Sequence, residues 1–212
     1  MSVGVIDYGA GNLGSVMRAF ASLGASPHLL TTPSQLHTVD RLVLPGVGNF
    51  AECMQRLRAG AWIDALRLEV LESMRPLLGI CVGMQMLADA GSEGTTDGEG
   101  VPGLGLVPGR VTHLRTLGCS QRVPHVGWNA VVPSRPGDPL FDGIPGGTDF
   151  YFVHSYAFQP SDPATTLATT DCGVPVTAAV RQRHVWGTQF HPEKSSRAGF
   201  QLLRNFLGMP AC

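Results

Sequence analysis

Pro76-Leu77-Leu78-Gly79-Ile80-Cys81-Val82-Gly83-Met84-Gln85 is the stretch around which this chain organises itself. Pro76–Ile80 is an apolar run of strand length, and helical character resumes over Met84–Ala90. Between them stands Gly79-Ile80-Cys81-Val82-Gly83, the cysteine counterpart of the Gly-x-Ser-x-Gly nucleophile elbow. The glycines permit a tight, strained turn that lifts the cysteine above the sheet edge. The following helix directs backbone N–H groups at the sulfur, which favours its anionic form. A buried structural cysteine would satisfy the same pentapeptide, so the rest of the chain must decide between the two.

Outward from the elbow, strands alternate with helices. Val3–Asp7 is a short buried strand ending in a Gly-rich turn, and Leu13–Leu23 carries apolar residues at helical spacing up to Gly24. His28–Leu30 and Arg41–Leu44 are further strands, the latter cut off by Pro45-Gly46. Phe50 to about Met74 is helical, with a break near Gly60. This alternation implies βαβ units and a mainly parallel sheet. The second half differs. After the polar loop Gly91–Gly100 come short β-like runs: Gly105–Leu114, Pro124–Val132, Asp149–Phe158, Thr165–Thr170, Val174–Val180 and His184–Phe190. Alternation puts Phe150, Phe152, His154, Tyr156 and Phe158 on one face of a strand. A helix over Arg197–Leu207 closes the chain. With no repeat and no linker, residues 1–212 are expected to form one α/β domain: a mainly parallel central sheet flanked by helices, flavodoxin-like, with an added β-rich second half.

Composition bounds the function. The 212 residues are 43% hydrophobic and 15% charged, with a net charge of −1, which describes a soluble globular protein. No block of like charge marks a nucleic-acid or anionic-membrane partner. No segment approaches the ~18 apolar residues of a membrane span, and the N-terminus has no signal-like leader, so a cytoplasmic location is expected. Cysteines 53, 81, 119, 172 and 212 are odd in number and lack a CxxC pair, which argues against a disulfide framework or a zinc site.

A thiolate nucleophile needs a proton carrier. His191-Pro192-Glu193 directly follows the strand His184–Phe190, and in extended conformation residues 191 and 193 share a face. Glu193 is then placed to orient His191, the third-member role in triad logic. His154, on its aromatic strand, is the competing base, although a hydrogen-bonded core histidine fits there as well. Acyl transfer also needs oxyanion donors. The N–H of Val82 is one candidate, and the Pro45–Gly48 loop, with Val47 and Gly48, offers the other. A β-branched Val47 resists positive φ, so the hole is expected to be completed when a substrate or partner reshapes the loop. Gly9-Ala10-Gly11-Asn12-Leu13-Gly14 has the spacing of a dinucleotide fingerprint, but Leu29–Gln35 lacks the acidic residue that should follow. A tight βα turn is the better reading, and no cofactor or metal is expected.

These motifs together resemble the class I (triad) glutamine amidotransferases, in particular the branch of glutaminase subunits of imidazole glycerol phosphate synthase. The matching segments run from Ile6–Leu13 through Leu44–Gly48, Leu78–Gln85, Val123–Asn129 and Tyr151–Tyr156 to Gln189–Ser195, covering nearly the whole chain. Val82 and Met86 stand where Leu is more usual.

The resemblance implies that Cys81 attacks the γ-carboxamide of glutamine to give a glutamyl thioester, with His191 as acid and base and Glu193 as its orienter. It implies glutamine contacts at Gly48, Gln85, Glu93, Ser155 and Tyr156. It also implies a heterodimer with a separate (β/α)8 cyclase that uses the ammonia in histidine biosynthesis, with Asn12, Trp128, Tyr151 and Lys194 near the interface. Lys194 is the one Lys among 15 basic residues, which raises the question of whether an ammonium is needed there. A glutaminase feeding a different synthase, and a stand-alone γ-glutamyl hydrolase or cysteine peptidase, remain the alternatives.

Overall fold

The computed structural model describes residues 1–95, 100–135 and 137–209; Cys212 and part of the Gly91–Gly100 loop lie outside them. In chain order the strands are β1 (Ser2–Ile6), β2 (Ser26–Leu30), β3 (Arg41–Gly46), β4 (Leu77–Cys81), β5 (Ala90–Gly91), β6 (Val101–Pro102), β7 (Gly109–His113), β8 (His125–Pro133), β9 (Thr148–His154), β10 (Tyr156–Pro160), β11 (Thr166–Asp171), β12 (Pro175–Gln182) and β13 (Val185–Thr188). The helices are α1 (Leu13–Ser22), α2 (Phe50–Ala59), α3 (Trp62–Leu71), α4 (Val82–Gln85) and α5 (Ser196–Gly208).

Nine strands form one sheet in the order β2-β1-β3-β4-β13-β12-β11-β8-β9. From β2 to β13 the pairings are parallel, and from β13 to β9 they are antiparallel. Helices cover the parallel half, so its central strands are buried on both faces. Every residue of β3, β4 and β13 is buried, as continuous apolar parallel strands require. α1 buries Val16, Ala19 and Phe20, and α5 buries Gly199, Leu202, Leu203 and Phe206, each a stripe at i, i+3, i+4 spacing. A second sheet, β10-β7-β5-β6, stands beside the first.

β4 lies between β3 and β13, two strands far from each other in the chain. Their carboxyl ends converge, with Gly46 opposite Cys81 and Thr188 opposite Ile80. A parallel sheet offers its binding crevice at such ends.

The elements depart from the sequence expectations in three places. β3 does not stop before Pro45-Gly46 but pairs through both, because Pro45 and Gly46 continue the register against Ile80 and Cys81. The helix expected over Met84–Ala90 is a single turn, Val82–Gln85, and Ala90 is already in β5. The run Asp149–Phe158 is not one strand. It breaks at Ser155, where the chain leaves the nine-stranded sheet as β9 and enters the smaller one as β10, so residues 150 and 158 serve different sheets.

Candidate active site

Cys81 ends β4 with φ 57° and ψ −114°, a conformation that a non-glycine residue holds only when its surroundings impose it. The strain sits on the cysteine and not on its glycines. Neither Gly79 nor Gly83 has positive φ; both are needed for close approach. A Cβ on Gly79 would lie 2.6 Å from the Gly83 carbonyl oxygen, and one on Gly83 would lie 1.8 Å from the Leu44 oxygen. The elbow is thus wedged against β3. With α4 only one turn long, the helix dipole contributes little at the sulfur. Side chains must supply its polar environment.

His191 supplies part of it. Its Nδ1 donates to Glu193 Oε1 at 2.8 Å, with the two side chains 2% and 0% exposed. The pair meets across a 3₁₀ turn, Pro192–Lys194, and not in the extended geometry that the i, i+2 spacing predicts; the tighter backbone still brings residue 193 back onto 191. Asn12 Nδ2 also donates to Glu193 Oε1, at 3.3 Å. The Gly9–Gly14 turn therefore serves the Glu193 carboxylate, through a residue expected at a partner surface. Burial pulls the His191 pKa down, but Cys81 and Glu193 together outweigh it and lift it to about 9. His191 Nε2 is buried with no partner of normal hydrogen-bond geometry among the described residues, yet it lines the same cavity as Cys81 and feels the sulfur electrostatically.

His154 is the opposite case. Burial, with His125 and His191 adding to it, lowers its pKa to about 4, against the bond to the Tyr156 carbonyl. Both nitrogens are engaged. The Tyr156 oxygen can only accept, so His154 Nδ1 donates to it at 2.8 Å and Nε2 must accept from His125 Nδ1 at 2.9 Å. His125 Nε2 then accepts from Asn129 Nδ2 at 3.1 Å, whose second hydrogen goes to the Asp171 oxygen at 2.6 Å. The chain is satisfied with every imidazole neutral, which leaves His191 as the imidazole in the Cys81 cavity whose pKa is raised.

The cavity over Cys81 holds about 170 Å³ and is lined by Val47, Gly48, Val82, Gln85, Glu93, Val153, His154, Ser155, Tyr156 and His191. All the residues expected to form the oxyanion hole or to meet glutamine are therefore in one place. Pockets for drug-sized ligands run to ~300–1,000 Å³, so this one suits a small substrate. Gly48 has φ 100°, whereas Val47 does not enter the left-handed region. Glu93 accepts from the Phe50 N–H at 2.8 Å, and burial raises its pKa despite that bond. The Tyr156 carbonyl already accepts from Gln85 at 3.0 Å and from His154.

Of the residues expected near a partner, Trp128 is 54% exposed and stands across from Tyr151 on the β8–β9 pair, ring centroids 6.0 Å apart. Lys194 Nζ lies 5.8 Å from the Tyr151 ring centroid. Exposed Val126 and Val153 pair beside them, so an apolar patch forms on the edge strand β9 and its neighbour β8. The same strand reaches the chemistry from behind. The Tyr151 oxygen accepts from the His191 N–H at 2.9 Å, and the Val153 oxygen lies 3.9 Å from Cys81 Sγ.

Two residues with structural claims on the site were not singled out by sequence. Ser195 Oγ donates to the His191 oxygen at 2.6 Å and accepts from the Tyr151 N–H at 3.0 Å, pinning the turn that carries His191. Gln189, fully buried, donates from Nε2 to Cys81 Sγ at 3.7 Å. The available signal was a polar residue inside the apolar run His184–Phe190. Among the described residues no cluster of three or more His, Cys, Asp or Glu is arranged to hold a metal ion, and no helix is long and apolar enough to cross a membrane.

Residues 4–209 match the family described as Glutamine amidotransferase class-I. The chain is 49% identical to imidazole glycerol phosphate synthase subunit HisH of Zymomonas mobilis, over 97% of this chain and 95% of that one. It is 44% identical to subunit HisH 1 of Prochlorococcus marinus, over 98% and 97% of the two chains. Among solved structures, PurLQS from Thermotoga maritima aligns with a TM-score of 0.72 at 16% identity, covering 97% of each chain. A glutamine amidotransferase from the same organism aligns with a TM-score of 0.67 at 19% identity, covering 98% of this chain and 96% of that one. At these identities the two structures speak to the fold alone.

Proposed function

The chain belongs to the class-I glutamine amidotransferase family, in its HisH branch, and we propose that it is the glutaminase of a two-subunit imidazole glycerol phosphate synthase in histidine biosynthesis. The observation that carries the chemistry is the pairing of a strained Cys81 with a buried His191 whose Nδ1 is held by Glu193 and whose Nε2 is left for the cavity.

In the proposed reaction Cys81 Sγ attacks the γ-carboxamide carbon of glutamine. The oxyanion forms against the Val82 N–H and an N–H of the Val47–Gly48 loop. His191 Nε2 protonates the departing nitrogen, the C–N bond breaks, and ammonia leaves behind a glutamyl thioester. His191 then takes a proton from water, hydroxide attacks the thioester, and glutamate departs as the sulfur regains its charge. Glu193 keeps the imidazolium oriented and compensated throughout. Gly48, Gln85, Glu93 and the Ser155-Tyr156 backbone enclose the substrate, and Val47, with its φ outside the left-handed region, makes the oxyanion hole dependent on a loop change.

A (β/α)8 cyclase would dock on the patch of Trp128, Tyr151, Val126 and Val153 with Lys194 at its rim. Docking there bears on the backbone that holds His191 and flanks Cys81, which gives partner binding a short route to the chemistry.

The test measures glutamate release from glutamine with and without the cyclase and its nucleotide ligand. Strong stimulation is the expected result. Full activity of the isolated chain on γ-glutamyl peptides would sink the proposal in favour of a stand-alone hydrolase. A Cys81→Ala variant is expected to lose hydrolysis and keep partner binding.

A further inference from the structure

Gln189 lies one residue beyond β13, with no exposed surface. Its backbone N–H donates to the Ala178 oxygen at 2.8 Å, so its position is set by the sheet and not by a loop. Its side chain bridges Gln85 and Cys81, and the direction of that bridge follows from hydrogen-bond chemistry.

The fixed point is the Tyr156 carbonyl, which can only accept. The Gln85 atom 3.0 Å from it is therefore the amide nitrogen. That nitrogen has one hydrogen left, and its other neighbour is a Gln189 side-chain atom at 2.9 Å, which must be the oxygen. The Gln189 nitrogen is thereby turned toward Cys81 Sγ, 3.7 Å away. Flipping either amide would set nitrogen against nitrogen or oxygen against oxygen. A buried mismatch of that kind costs about as much as leaving a polar group unpaired, so the chain holds Gln189 as a donor.

We propose that Gln189 is a catalytic residue: its amide N–H, locked in the donor orientation by Gln85 and Tyr156, stabilises negative charge on Cys81 Sγ. The proposal rests on Cys81 being the nucleophile. No bond to Gln189 forms or breaks. Its N–H acts when the sulfur is anionic, before attack on the carboxamide and again when the thioester releases the thiolate. In between, on the neutral thioester, the interaction weakens, so it favours both the start and the completion of the cycle. Gln85 thus has a part in the chemistry apart from any contact with substrate, since both its amide hydrogens are committed to this chain.

The test is the pH dependence of Cys81 alkylation by iodoacetamide in the chain bound to its cyclase. Wild type, Gln189→Leu and Gln189→Met are compared, with melting curves and cyclase affinity measured in parallel. A hydrogen bond to a charged partner is among the stronger ones, so the Leu variant should show its alkylation midpoint raised by about one pH unit or more. Its kcat for glutamine should fall roughly 10–100-fold with little change in KM. Gln189→Met, unbranched and without a donor or a charge, should raise the midpoint too, and it keeps the test readable if the Leu variant fails to fold. An unchanged midpoint in either variant that still melts cooperatively and binds cyclase overturns the proposal. If wild-type Cys81 itself is not alkylated faster than an ordinary exposed thiol, the nucleophile reading fails instead.

Discussion

The α-carbon of Gly83 lies so close to the Leu44 carbonyl that a methyl group added there would sit 1.8 Å from the oxygen. This contact locks the turn after Cys81 against β3, and it lets Cys81 keep its positive φ. Ordinary overpacking costs about 1–3 kcal/mol, and here the obstacle is backbone. Gly83→Ala is expected to destabilise the chain by more than about 3 kcal/mol and to slow Cys81 alkylation in whatever remains folded. Urea titration followed by rate measurement checks both; a mild loss of stability with unchanged alkylation would contradict the wedge.

Glu193 accepts from both His191 and Asn12. Replacing it with Gln keeps the shape and removes the charge that compensates a buried imidazolium. A fall in kcat of roughly 10²–10⁴ is expected, by analogy with neutralising the acid of other triads. Asn12→Ala should cost less, on the order of tenfold or below, because Glu193 keeps its charge and its 2.8 Å bond to His191 and loses only the longer one, 3.3 Å. Glutaminase assays on the stimulated complex test this order, and an Asn12 effect larger than that of Glu193→Gln would refute it.

His191 and His154 are expected to titrate far apart, near 9 and near 4. The signs follow from linkage. His191 is raised above the ordinary 6.5, so its contribution to stability is complete below about 6.5 and is lost as pH rises through 9. His154 is lowered, so its contribution is present above about 6.5 and is lost as pH falls through 4. Histidine resonances followed by NMR across this range give the midpoints. A His154 that titrates near 6.5 would contradict the neutral, hydrogen-bonded chain through His125 and Asn129.

Trp128 is more than half exposed and meets the Tyr151 ring edge-on, so Trp128→Ala should leave the melting temperature nearly unchanged. At a protein interface, however, a central aromatic is the residue type whose loss costs about 2 kcal/mol or more. Cyclase affinity is expected to drop about thirtyfold with basal glutamine turnover retained. Lys194→Arg asks a narrower question, whether the compact ammonium near Tyr151 is needed; unchanged assembly and coupling would remove that idea.

Ser195→Ala leaves the Tyr151 N–H without its acceptor and the His191 oxygen without its donor. A cost of about 1–3 kcal/mol is expected, together with a lower kcat, because the turn that carries His191 loses its pin. Stability unchanged to within a few tenths of a kcal/mol would show that water replaces the hydroxyl.

Local pattern carried a good deal of this. The apolar run before Cys81, the glycines around it, the helical stripe of α1 and the strand–helix alternation of the first half were legible because each depends on neighbours a few residues away. So was the pairing of His191 with Glu193, two residues apart. Even there the geometry differed: the pair meets in a 3₁₀ turn, and the strain falls on Cys81 and not on Gly79 or Gly83. Asp149–Phe158 alternates like one strand, and nothing local marks the step at Ser155 from one sheet to the other.

The amino-acid order therefore specified which groups could do chemistry and which segments would carry them. Tertiary structure decided which of those groups meet. Residue 189 lies 108 positions from Cys81, and His191 lies just beyond it. Both reach the sulfur because β13 pairs with β4, a choice made by burying whole strand faces and not by spacing along the chain. The same holds for polarity. The direction of the Gln85–Gln189 bridge and the tautomer of His154 follow from the Tyr156 carbonyl, an acceptor that no side-chain pattern reveals.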